Sequence, residues 1–152
     1  MKKQSHKRSA DFIICDDVRF EQGGKPSLLG IFFENEIGVD LPDEVPDPTP
    51  ESPIQIAALT FFIRVYGFQG RVALQTEIVA PSGQTILSSP LGTAEVSSSV
   101  MNFVPSLRPF IVPAFGEYIF RLEVDGKAFE HRFVVKRNRG LEKPVKQLDF
   151  GN

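Results

Sequence analysis

Gly116–Lys136, GEYIFRLEVDGKAFEHRFVVK, is the stretch that decides the fold. Two alternating runs flank Asp125-Gly126, and Asp-Gly is among the strongest short-range signals for a two-residue hairpin turn. Tyr118, Phe120, Leu122 and Val124 fall on one face of the first run, with Glu117, Arg121, Glu123 and Asp125 on the other. Apolar and polar side chains that alternate every second residue describe a sheet with one buried face and one wet face. Ala114-Phe115-Gly116-Glu117-Tyr118 has the form of a tyrosine corner, in which the phenol hydroxyl ties back to nearby backbone. Tyr118 is therefore expected to be structural.

Working outward, Ile56–Tyr66 (IAALTFFIRVY) is the most hydrophobic run. Leu59, Phe61, Ile63 and Val65 share a face, and Ala58, Thr60 and Phe62 also avoid charge, which predicts a central strand buried on both sides. Gly67 and Gly70 turn the chain into Arg71–Ala80, and Pro81-Ser82-Gly83 turns it again. Ile86–Val96, with Pro90 and Gly92 inside it, reads as an edge strand or irregular, and Ser97–Val112 is apolar but broken by Pro105 and Pro109. Near the start, Asp11–Phe20 reads as a strand with Phe12, Ile14, Val18 and Phe20 on one face and Asp16 interrupting them. Leu28–Val39 reads as its return, with Gly30 and Gly38 pointing to bulges or a close approach. Leu41–Pro53 holds five prolines and no basic residue, which makes it an extended connector; its alternative use is a docking segment for a basic or proline-reading partner.

No stretch longer than a turn repeats every 3.6 residues with caps. The expected fold class is all-β: a two-sheet antiparallel β-sandwich of immunoglobulin-like type with seven to eight strands. The expected organisation is a basic N-terminal arm over residues 1–10, a β-sandwich domain over 11–137 and a C-terminal tail over 138–152.

At 152 residues the chain is about one domain, long enough for its own core. Fourteen Phe beside two Tyr and no Trp place the aromatics in a core rather than on a binding surface. A single cysteine, Cys15, excludes an intramolecular disulfide framework. Phe12–Cys15 is too short for a signal-peptide core, and no run approaches the roughly 20 apolar residues that span a bilayer, so a cytoplasmic location is expected. The net charge of −2 hides an asymmetry. Residues 1–10 carry four bases and no acid, and residues 136–152 carry five bases against two acids, a net +7; the body between holds eight bases against seventeen acids, a net −9. Basic ends on an acidic body can fold back, reach a neighbouring subunit or touch polyanions.

Two segments carry a resemblance: ICDDVRFEQGGKPSLLGIF (Ile14–Phe32) and MNFVPSLRPFIVPAFGEYIFRLEVDGK (Met101–Lys127). With them the chain resembles, over roughly Asp11–Lys136, a family of uncharacterised bacterial proteins expected to be small β-sandwiches. The resemblance implies fold and bacterial origin, and it brings no activity, cofactor or catalytic residue.

Candidate chemistry is sparse. Cys15, Asp16 and Asp17 are the densest polar cluster in an apolar strand, but neighbouring strand residues point to opposite faces and cannot readily share a metal ion. His131 shares a face with Phe129, Phe133 and Val135, so it is expected at the core or its rim, with Asp16 as a candidate partner. A thiol hydrolase built from Cys15, His131 and Asp16 fails on parity, because an inward Asp16 turns Cys15 outward. No catalytic residue, metal or cofactor is expected; the weak polar-cluster candidates are Asp16 and His131. The expected function is a non-enzymatic module acting through a protein partner or self-association, with no membrane partner. The acidic body argues against nucleic acid, leaving only the basic termini suited to such contact. The alternative is a small-ligand or carbohydrate-binding sandwich presenting Phe62, Tyr66 and Phe68.

Overall fold

A computed structural model describes residues 7–139. Its strands are β1 (Ser9–Phe20), β2 (Pro26–Ile31), β3 (Glu36–Val39), β4 (Ile54–Ile56), β5 (Leu59–Tyr66), β6 (Gly70–Val79) and β7 (Thr85–Ser88). They continue with β8 (Gly92–Val96), β9 (Val100–Phe103), β10 (Ser106–Leu107), β11 (Phe110–Val112), β12 (Gly116–Val124) and β13 (Lys127–Arg137). The fold is all-β, in three sheets. One has the order β10-β5-β1-β2 with β9 also on β5; the second is β3-β13-β12-β6-β7 with β8 also on β6; the third pairs β11 with β4.

The deciding hairpin forms as its sequence requires. Asp125 and Gly126 take φ of +47° and +78°, the left-handed values a tight hairpin turn needs, and Val124 pairs with Lys127. Tyr118 is fully buried and its hydroxyl donates to the Ala114 carbonyl at 2.6 Å, the tie-back of a tyrosine corner. Burial pushes its phenol pKa up against the opposing pull of that bond. β5 is buried on both faces from Leu59 to Ile63, as its lack of charge predicts.

Thirteen strands replace the expected seven to eight. The excess comes from short pieces, such as β9, β10 and β11, between the prolines of the apolar stretch before the hairpin. Nor is the arrangement wholly antiparallel, since β3 runs parallel to β13. Leu28–Val39 is not one strand. The chain leaves β2, turns through Phe33–Asn35 with Glu34 and Asn35 at φ of +56° and +57°, and enters the other large sheet as β3. Phe33, inside the stretch expected to be that strand, is 84% exposed at this crossing.

The core lies between the two larger sheets. Phe61 of β5 meets Phe120 of β12 at 4.3 Å and Phe133 of β13 at 5.5 Å between ring centroids, and Phe12 of β1 meets Phe120 at 6.1 Å. Each such ring removed from water contributes about 1.5–3 kcal/mol. Gly30 and Gly38 mark close approaches of side chains. A Cβ on Gly30 would overlap the Asp16 carboxylate, and one on Gly38 would overlap the Asn138 amide.

The N-terminal arm is not wholly separate from the body. β1 already begins at Ser9, and the Arg8 guanidinium stacks 4.7 Å from the Phe68 ring. Residues 1–6 and the tail from 140 onward lie outside the described residues.

Candidate functional site

Pairing register assigns the faces, because residues opposite each other in an antiparallel ladder project to the same side. Ile14 pairs with Phe61 and Phe12 with Ile63, so these four face the core. Cys15, opposite both Thr60 and Ile31, faces away from it.

Cys15 is nonetheless fully buried. Its cover is polar. Arg108, just beyond β10, donates from Nε to Ser106 Oγ at 3.2 Å and from Nη2 to Asp17 Oδ1 at 2.8 Å, spanning β5 at Thr60. Thr60 donates to the Asp16 carbonyl at 3.1 Å and accepts from Ser106. Burial, then the nearby Asp16 and Asp17, raise the Cys15 pKa and keep the thiol protonated and unreactive.

Asp16 has the parity of a core residue but is exposed, because side-chain-free Gly30 on the edge strand lets the carboxylate lie across β2 to water. His131 sits half-buried at the core rim, stacked on Phe12 at 5.0 Å between centroids. Its Nε2–H donates to Asn35 Oδ1 at 2.8 Å. Asn35 therefore takes the partner role expected of Asp16. Burial lowers the His131 pKa and favours the neutral ring. Cys15 on the outer face and His131 on the inner one do not converge.

Around His131 runs a shallow groove of about 630 Å³, lined by Arg8, Asp11, Phe12, Lys127, Phe129 and Glu130 among others. Its opposite charges balance. The aromatic platform expected for a carbohydrate is not there: Phe62 and Phe68 are 5% and 4% exposed, and Tyr66 is half-buried below the Arg64 guanidinium. Among the described residues, no three of His, Cys, Asp and Glu group as metal ligands, and no helix is long and apolar enough to cross a membrane.

The proline-rich connector is clamped to the body by Arg137, the last residue of β13. Its guanidinium donates to the carbonyls of Leu41 (3.4 Å), Pro42 (3.1 Å) and Val45 (2.5 Å) and to Asp47 Oδ1 (3.1 and 3.2 Å). Sequence reasoning missed this residue. Its partners are mostly backbone carbonyls, which leave no mark in the side-chain pattern.

The two large sheets differ on their outer faces. The β12–β13 sheet carries an ion-pair ladder: Arg121 with Glu77 and Glu130, Arg132 with Glu117, and Lys136 with Glu36. The β1–β2 face carries aliphatic side chains beside the single Asp17 cluster with Arg108 and Arg19. Ile13, Leu29 and Ile31 are 36%, 40% and 45% exposed, around the nearly buried Phe62 that pairs with Ile13. Of the eight large hydrophobics that stay exposed among the described residues, five fall between Ile13 and Phe33.

Among the described residues the titratable groups are scattered over an all-β body, and exposed aliphatic side chains gather on the β1–β2 outer face. The chain belongs to DUF6941, a family of unknown function, whose pattern matches residues 10–134. No curated protein matches it.

Proposed function

We propose that this chain is a non-enzymatic, immunoglobulin-like two-sheet β-sandwich of the bacterial cytoplasm. It works through protein–protein contacts, as an oligomer or as a subunit of a larger assembly. The observation that carries this reading is the contrast between the two outer faces. A sheet face that is to remain in water is covered by paired charges, as the β12–β13 face is. A cluster of exposed aliphatic side chains concentrated on one face, beside an open sheet edge, is the composition of a contact surface. The buried, protonated thiol and the balanced charges around His131 support the non-enzymatic part.

Light scattering on the full chain across a dilution series, with capture on the immobilised chain from a bacterial lysate, tests this. The expected result is a mass above one chain or a specific, saturable partner. Removal of residues 140–152 in parallel determines whether the tail takes part. A monomer that retains nothing overturns the reading.

A further inference from the structure

We propose that β2 is a self-association strand, pairing antiparallel with β2 of a second copy so that the Ile13–Leu29–Ile31 face becomes continuous across the pair. The inference rests on the protein-contact reading and names the partner.

Three independent observations converge on this strand. First, β2 ends the β10-β5-β1-β2 order, so one side of its backbone is unpaired among the described residues. An open edge offers free N–H and C=O groups to an incoming strand. Second, Leu29 and Ile31 stand two residues apart on the outward face of β2, and Ile13 lies diagonal to Ile31 because Cys15 pairs with Ile31. Antiparallel pairing about Leu29 sets Leu29 against its own copy and Ile31 against Ser27, which joins the two aliphatic patches.

Third, the charges fit a second copy in one orientation only. Residues 26–33 carry no charge, while exposed Lys25 stands just before β2 and exposed Glu34 just after it. Antiparallel pairing brings each Lys25 beside the partner's Glu34 end, whereas parallel pairing sets like against like. On the outward face the nearest other charge, Asp17 opposite Leu29, is already held by Arg108 and Arg19, while the Asp16 carboxylate crosses β2 at Gly30 on the opposite face. Such a contact is isologous, and it closes at two copies because each edge is used once.

The test is sedimentation velocity on the full chain, wild type against Leu29→Lys and Ile31→Lys. Far-ultraviolet circular dichroism and the urea midpoint serve as controls that these exposed substitutions leave the fold intact. The expected result is a wild-type dimer and monomeric lysine variants, with Leu29→Cys giving an oxidised, covalently linked dimer through its symmetry axis. A wild-type chain that is monomeric at every concentration overturns the inference. So does a dimer that persists in both lysine variants, or one that Leu29→Cys does not link. In these last two cases the protein-contact reading stands and only the assigned surface falls.

Discussion

Replacing Arg137 with Met keeps an unbranched stem over the body but removes the guanidinium that ties down the acidic, proline-rich connector. The side chain is 14% exposed, so its donors are largely withdrawn from water. Of its contacts, those to the Leu41 and Val45 carbonyls are partly buried, whereas those to Pro42 and to Asp47 (68% exposed) face solvent. Solvent-facing contacts contribute little once water replaces them. Two partly buried bonds from a charged donor contribute about 1.5 kcal/mol each, so the substitution should cost about 2–3 kcal/mol. With the urea sensitivity of a domain this size, that lowers the unfolding midpoint by about 1–2 M. The connector should also become the first site of cleavage in limited proteolysis, since prolines leave it no ladder of its own. An unchanged midpoint together with an intact connector refutes the clamp.

Stability should decline as pH falls below about 6.5, the ordinary histidine value. The sign follows from burial, which lowers the His131 pKa in the folded state, so the unfolded chain takes up a proton first and is favoured as acid is added. Urea midpoints of wild type and His131→Gln between pH 7.5 and 5.5 check this, and equal slopes for the two proteins contradict it. Gly30→Ala should destabilise by about 1–2 kcal/mol from its φ of +64° alone, and further by displacing the Asp16 carboxylate. Asp16→Ala in the same chain should recover the second part. A double-mutant cycle that sums without coupling denies the contact.

Much of the body was legible residue by residue. The Asp125-Gly126 turn, the Tyr118 corner and the doubly buried β5 each rest on local chemistry that the chain displays openly. The switch of sheets at Phe33–Asn35 was not, because Glu34 takes a positive φ that its side chain does not favour and only tertiary packing imposes. Likewise Phe62 has outward parity yet is covered, and alternation alone cannot tell a covered outer face from a wet one. His131 is expected at the core or its rim and lies at the rim, but its partner Asn35 is 96 positions away, inside a stretch that reads as a strand. The outward aliphatic residues of β2 were hidden by the same ambiguity, since Leu and Ile in a strand are read as core by default.

The parallel pairing of β3 with β13 bears on how the chain matures during synthesis. Glu36–Val39 is synthesised well before Val134–Arg137, the segment with which it forms its ladder among the described residues. Until that last strand has cleared the exit tunnel, the early segment has no template and the six-stranded sheet cannot close. A nascent chain stalled before residue 134 must therefore hold its first strands without their final seal.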